Sequence, residues 1–158
     1  QYKTDESRVA LRKRIFDELS QKKRLANDEK ITLGKGGALP NTALKKDKQA
    51  FYVIGLPASG KSEVAGLLSD NYGAIILDSD YAKRKFPEYQ AECGATIVHE
   101  ESSMVVFGGK EPYASEDSLL KYAVQNDFNI VIKLVMSVQK FLPLRSPYKE
   151  PNMKYISF

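Results

Sequence analysis

The sequence predicts an α/β fold in which a parallel sheet is flanked by helices. Three short apolar segments, each suited to a strand, stand at residues 51–54, 74–77 and 128–132. Segments with the apolar spacing of helices separate them, and this alternation favours parallel pairing with right-handed crossovers. A glycine-rich loop joins the first strand to the helix that follows it. Together these observations place the chain in the α/β class.

The loop after the first strand has the pattern G-x-x-x-x-G-K-S, from Gly55 to Ser62. Its glycines let successive backbone N–H groups point at phosphate oxygens, and the following helix adds the positive end of its dipole. In such a phosphate-binding loop (P-loop), Lys61 would reach the terminal phosphates and Ser62 would ligate Mg²⁺. The residues predicted to contact the nucleotide are Gly55, Pro57, Ala58, Ser59, Gly60, Lys61 and Ser62. The predicted fold is therefore of the P-loop NTPase type, and an ordinary glycine-rich turn is the alternative.

A pair of aspartates follows the second predicted strand. Asp78 and Asp80 flank Ser79 at its carboxyl end, where ligands bind in open α/β sheets. One carboxylate could accept the proton of an acceptor hydroxyl while the other orients Mg²⁺ or its waters. We predict Asp80 as the base. The structural alternative is that Asp78 or Ser79 caps the next helix.

Charge and composition narrow the class of protein. The chain carries a net charge of +4, but residues 51–132 hold 6 basic and 12 acidic side chains. A nucleic-acid-binding protein would place basic residues beside its working site, so no nucleic-acid partner is expected. No segment has the length of apolar sequence that a membrane span needs. The single cysteine, Cys93, excludes an internal disulfide and predicts a cytoplasmic protein.

The chain divides into three predicted regions. Residues 1–49 form a basic extension, with an amphipathic helix over residues 5–26 and a linker rich in glycine, proline and lysine. Residues 50–132 form the P-loop core. Its helices are predicted at 61–72, 96–106 and 119–124, with Ser115 as an N-cap. Residues 133–158 form an atypical proline-rich tail.

The core resembles the zeta toxin family of P-loop kinases. The resemblance rests on the P-loop, on Ile76-Leu-Asp-Ser-Asp-Tyr-Ala-Lys-Arg-Lys-Phe-Pro87, on Gly94-Ala-Thr-Ile-Val-His-Glu-Glu-Ser-Ser103 and on Asn129-Ile-Val-Ile132. It covers residues 51–132. It implies a kinase that uses ATP and Mg²⁺ to phosphorylate a hydroxyl of a nucleotide sugar, typically UDP-N-acetylglucosamine. Many members are toxins of toxin–antitoxin systems, so the resemblance also implies an antitoxin protein as partner.

The resemblance assigns roles to individual residues. Lys61 becomes the phosphate-clamping lysine, Asp80 the base and Ser62 the metal ligand. Arg84 joins them as a catalytic cation. The residues that would lie near the acceptor or its phosphate are Asp78, Lys83, His99, Glu101 and Ser102.

The end of the chain departs from the family pattern. Only Arg145 follows Arg84 as a further arginine, and three prolines stand within residues 143–151. The tail shows no alternation typical of a strand, so the sequence predicts three strands and an incomplete sheet. We interpret residues from about 133 onward as the product of a frameshift or truncation; a genuine short variant is the alternative.

Two other functions stay open at the level of sequence. One is a P-loop kinase that acts on another small metabolite or on a nucleotide, because an aspartate pair after the second strand suits several such enzymes. The other is a catalytically inactive fragment that binds a nucleotide or only an antitoxin-like partner. The resemblance implies lid arginines beyond the third strand that stabilise charge on the transferred phosphoryl group. Their scarcity here favours the inactive fragment, and the intact Lys61, Ser62 and Asp80 argue against it.

Overall fold

The computed structural model describes residues 5–56, 60–108, 118–135, 147–148 and 153–157. Within these residues the strands are β1 (Ala50–Gly55), β2 (Ile75–Leu77), β3 (Ile130–Val135) and β4 (Met153–Ser157). The helices are α1 (Glu6–Gln21), α2 (Lys61–Tyr72), α3 (Ser79–Lys83), α4 (Gly94–Ile97), α5 (His99–Phe107) and α6 (Leu119–Gln125). Short 3-10 turns lie at Asp28–Lys30 and Pro87–Gln90. The predicted α/β class is confirmed.

The chain forms two compact units, each built from two stretches of sequence. The helical unit comprises residues 1–39 and 78–122, and the sheet unit comprises residues 40–77 and 123–158. The three-part division by composition, at residues 49/50 and 132/133, stays a prediction.

The sheet unit holds a four-stranded sheet in the order β2-β3-β1-β4, within the described residues. All three pairings are parallel, with Ala50 opposite Ile130 and Met153, and Ile75 opposite Ile130. The neighbouring strands β1 and β3 are mostly buried, as expected for the near-continuous apolar runs of a parallel sheet. Helix α2 packs against β1, β2 and β3.

The prediction that the tail holds no strand is wrong. Residues Met153–Ser157 form β4, which lies at one edge of the sheet and pairs with β1 along five positions. The signal was missed because strict alternation marks a strand with one buried face in an antiparallel sheet, and a parallel strand need not show it. The sheet therefore has one strand more than the sequence indicated.

In the helical unit, helix α1 ends earlier than the sequence predicted. The helix stops at Gln21, and Lys22 is extended, whereas the sequence predicted a helix as far as residue 26. The last carbonyls of the helix are satisfied by the returning linker, since the N–H groups of Ala38 and Leu39 donate to Leu19 and Lys22. Gly37 permits this approach, because a Cβ there would lie 2.3 Å from the Lys22 carbonyl oxygen.

A buried lysine holds the same linker in place. The ammonium of Lys85 is fully buried and donates to the Glu18 carboxylate at 2.7 Å and to the carbonyls of Thr32 and Gly36 at 2.8 and 2.7 Å. Burial works to raise the pKa of Glu18, but hydrogen bonds from Lys85 and from the Gly34 N–H lower that pKa overall. The sequence did not indicate this pair.

Candidate functional site

The P-loop begins as the sequence predicted, with a strand that ends at Gly55 and a helix that starts at Lys61. Gly60 is the N-cap of the helix, with φ +86°, in the left-handed region that favours glycine, and as a glycine it has no side chain to cap the first turn. The first N–H groups of such a helix point at the position where an anion would bind. Pro57, Ala58 and Ser59 lie outside the described residues.

Lys61 is anchored inside the loop. Its side chain is buried, with 8% of the residue exposed, and its ammonium donates to the Gly55 carbonyl at 2.9 Å and to the Leu56 carbonyl at 3.2 Å. An ammonium has three donors and rotates freely about a flexible stem. The lysine thus ties the end of β1 to the start of α2 and can offer its charge to a phosphate in the same loop.

The Ser62 hydroxyl lies beside a second lysine. Lys133 of β3 donates from its ammonium to the Ser62 Oγ at 3.0 Å. Ser62 is exposed and Lys133 is partly exposed. Sequence reasoning missed Lys133, because residues 62 and 133 meet only through the tertiary packing of α2 against β3.

The two aspartates have different environments at the start of α3. Asp78 directly follows β2 and is the N-cap of the helix, where its Oδ1 accepts from the Asp80 N–H at 2.9 Å. The capping alternative is therefore confirmed for Asp78. Asp80 points its carboxylate outward, with 55% of the side chain exposed, and lies 3.3 Å from the Lys83 ammonium. Of the two, Asp80 is the carboxylate that remains accessible to a substrate.

Arg84 and Tyr81 make contacts with the 3-10 turn at Asp28–Lys30. The Arg84 guanidinium donates to the carbonyl of Asp28 at 2.8 Å. The Tyr81 hydroxyl bonds to the Asp28 carboxylate, and burial, followed by the charges of Asp28 and Asp78, raises the pKa of Tyr81. Asp28 was not singled out from the sequence, yet it fixes two residues of the segment that carries Asp80.

The acceptor residues predicted on α5 have different environments. His99 is exposed, whereas Ser102 is fully buried and its hydroxyl donates back to the Val98 carbonyl at 2.7 Å. That bond satisfies the hydroxyl within its own helix. The predicted helix over residues 96–106 is divided between α4 and α5 at Val98. The predicted N-cap Ser115 lies outside the described residues.

Glu101 belongs to an ion cluster with α1. Its carboxylate is 4% exposed and accepts from Arg8 at 2.5 Å and from Arg12 at 3.0 Å. Arg8 also pairs with Glu88, and its hydrogen bond to Glu101 leads the causes that raise the arginine's pKa. This cluster (Arg8, Arg12, Glu88 and Glu101) thus gives two cations of α1 a carboxylate partner on α5.

The described residues supply only part of the oxygen ligands that a magnesium ion would need. Ser62 offers a hard oxygen of the kind Mg²⁺ prefers. No group of three or more His, Cys, Asp or Glu side chains in the described part of the chain could hold a metal ion. Magnesium bound here would take its remaining oxygens from phosphates and water, as this ion commonly does at nucleotide sites.

The described helices include none that is long and apolar enough to cross a membrane.

Comparisons with known proteins extend the resemblance beyond its predicted limits. The family model described as "Zeta toxin" matches residues 38–141, whereas the sequence motifs covered 51–132. No curated protein and no solved structure gave a match. Family membership indicates a P-loop kinase-like function, a toxin–antitoxin context and nucleotide-type substrates, and P-loop kinases generally use ATP and Mg²⁺. Because the match covers about two thirds of the 158 residues and includes the whole P-loop, the chain belongs to the zeta toxin family.

Proposed function

We propose that the chain is an ATP-dependent kinase that phosphorylates a hydroxyl of a nucleotide sugar such as UDP-N-acetylglucosamine. The observation that carries this proposal is the arrangement of the P-loop. A buried Lys61 is anchored by the carbonyls of Gly55 and Leu56, at the start of a helix that follows a left-handed glycine. Membership of a family of P-loop kinases supplies the reaction type.

The proposed roles follow from the chemistry of each side chain. Lys61 and the N–H groups at the start of α2 hold the donor phosphates, which are anionic and prefer such sites. Ser62 is the residue that would ligate Mg²⁺. When bound, this ion neutralises charge on the terminal phosphates.

Asp80 is the proposed base. It has the accessible carboxylate of the aspartate pair, whereas Asp78 is used in capping α3. In the reaction the acceptor oxygen bonds to the γ-phosphorus, the bond from that phosphorus to the β–γ bridging oxygen breaks, and ADP leaves. The acceptor proton passes to Asp80. Lys83 forms an ion pair with this carboxylate at 3.3 Å and is proposed to hold it in place.

The remaining predicted residues have different proposed roles, either in direct contact with the substrates or through the position of a helix. His99 is exposed and free of burial constraints, so it is proposed to contact the acceptor. Glu101 and Ser102 are buried and bonded within the helical unit, so they are proposed to shape the acceptor region through the position of α5. Arg84 is proposed to act on phosphate only if it leaves the Asp28 carbonyl.

A second candidate is nucleotide binding without transfer. The contacts of Arg84 favour it, because phosphoryl transfer depends on cations that stabilise charge in the transition state. Arg84, the arginine predicted for that task, donates to a backbone carbonyl. An antitoxin protein is the partner proposed for either candidate, from the toxin–antitoxin context of the family. A kinase for another small metabolite or a nucleotide differs from the main proposal only in its acceptor.

One assay separates these functions. The chain is incubated with ATP, Mg²⁺ and a panel of nucleotide sugars, free nucleotides and simple sugars, and the products are analysed by mass spectrometry. A gain of one phosphoryl group on a nucleotide sugar is the expected result. A gain only on another acceptor would replace the substrate. No product from any acceptor, with ATP binding intact, would favour the candidate without transfer.

A further inference from the structure

A lysine of β3 reaches the first turn of the P-loop helix. Lys133 pairs in register with Val53 of β1, and β1 continues for two residues to the start of the P-loop at Gly55. Its ammonium lies 3.0 Å from the hydroxyl oxygen of Ser62, the second residue of α2. All of these residues belong to the sheet unit. The contact therefore places a second cation at the first turn of the P-loop helix, within one compact part of the molecule.

We infer that Lys133 is a second phosphate-binding cation of the P-loop, and that it lets this chain bind a nucleoside triphosphate when Mg²⁺ is removed. The inference rests on the proposed function, because it presumes that phosphates occupy the loop. It adds a residue and a metal dependence that the P-loop motif does not contain.

The Ser62 oxygen has a different partner with and without the metal ion. In P-loop proteins the serine or threonine at this position and an aspartate hold Mg²⁺, which bridges the terminal phosphates. Here a positive charge already lies at hydrogen-bond distance from that oxygen. An ammonium carries three N–H donors at the end of a flexible stem. It can therefore turn toward phosphate oxygens that approach the same hydroxyl.

The position of the lysine on a strand strengthens the argument. β3 is flanked by β2 and β1, so its backbone is held on both edges. Lys133 therefore presents its charge from a rigid element, and only the side chain has to move. A flexible lysine acts on phosphate as a point charge, which suits a site whose ligand changes shape during a reaction.

A divalent ion and the ammonium would compete for the same hydroxyl. Two cations close to one oxygen repel each other, so Mg²⁺ held by the Ser62 oxygen would exclude the Lys133 ammonium from that oxygen. The charge of Lys133 should therefore matter most without the metal. This difference gives the inference a signature that a merely structural lysine would not produce.

The test measures ATP binding by isothermal titration calorimetry, with excess Mg²⁺ and with EDTA. The variants are Lys133→Met, which keeps the length of the side chain without its charge, and Lys133→Arg, which keeps the charge. Lys121→Met is the matched control, because Lys121 is exposed on α6. Thermal unfolding of each variant without ligand reports whether it is folded.

The unaltered chain should bind ATP in EDTA. Lys133→Met should weaken that binding about tenfold to a hundredfold, with a smaller loss in Mg²⁺, and Lys133→Arg should keep most of it. Failure of the unaltered chain to bind ATP in EDTA would overturn the inference, as would equal losses for Lys133→Met in both conditions. Because the first of these results is measured on the unaltered chain, the inference can be tested even where Lys133→Met does not fold.

The proposed function can fail separately. If the unaltered chain binds no ATP even with excess Mg²⁺, the phosphate-binding proposal itself is wrong and the inference falls with it. If the chain binds ATP with Mg²⁺ but loses it in EDTA, the proposed function stands and only the role of Lys133 is rejected.

Discussion

Replacing Glu101 with glutamine separates a structural role of this residue from a substrate-binding one. The carboxylate is 4% exposed and accepts from Arg8 at 2.5 Å and Arg12 at 3.0 Å. Glutamine keeps the shape of the side chain but loses the charge and offers an amide donor to one guanidinium. Two arginines of α1 would then face a neutral, partly mismatched partner.

The cost follows from the burial of the cluster. Removing one partner of a fully buried ion pair costs about 3–5 kcal/mol, because the other charge stays unpaired. The side chains of Arg8 and Arg12 are 19% and 13% exposed, so water solvates part of the charge that is left unpaired. We therefore expect a loss near the lower bound, about 3 kcal/mol. For a chain of this length that corresponds to about 6–12 °C in Tm.

Thermal and urea unfolding measure this loss, with Glu100→Gln as the matched control, since Glu100 is exposed on the same helix. A double variant of Glu101→Gln and Arg12→Met should lose less than the sum of the single losses, because both changes remove the same contact. A Glu101→Gln chain with unchanged stability but a strongly raised KM for the acceptor would contradict the structural role and would mean that the carboxylate acts on substrate.

Three further outcomes are expected. Lys85→Met should lower the free energy of unfolding by about 3–5 kcal/mol, measured in urea, because it removes the buried ammonium that donates to the Glu18 carboxylate and to the carbonyls of Thr32, Lys35 and Gly36; a loss under 1 kcal/mol would contradict the structure. Because the pKa of Glu18 is lowered in the folded state, its ionised form stabilises the fold above its ordinary value of 4.5. The stability advantage of the unaltered chain over Glu18→Gln should thus shrink as the pH falls below that value, and a difference constant with pH would exclude the charge effect. Asp80→Asn should bind ATP normally but transfer the phosphoryl group at least about a hundredfold more slowly, because a general base contributes about this much to the rate. Transfer at the unaltered rate would exclude Asp80 as the base.

The parts of the structure that depend on neighbouring residues were predictable. The helix from Lys61 to Tyr72 was predicted at both ends, because the glycine-rich loop fixes its start and Gly73 fixes its end in the left-handed region, with φ +57°. The strands at residues 51–54 and 128–132 were found within three residues of their observed ends, because buried apolar runs are visible in the sequence.

The parts that depend on distant residues were not predictable. Lys133 meets Ser62, and Arg8 meets Glu101, across 71 and 93 positions of the chain. Periodicity reports which face of an element is apolar and says nothing about which charges pair after folding. The edge strand β4 was missed for a related reason, since its pairing with β1 decides its conformation more than its own sequence does.

We propose that this zeta toxin family member transfers the terminal phosphoryl group of ATP by means of its P-loop. Phosphorus-31 NMR of the chain with ATP, Mg²⁺ and UDP-N-acetylglucosamine tests this transfer, alongside Lys61→Met. We expect the γ-phosphate signal to fall while ADP and a new phosphomonoester appear in equal amounts, and we expect Lys61→Met to form neither. Equal product from both chains, or ADP and inorganic phosphate without a phosphomonoester, would contradict it.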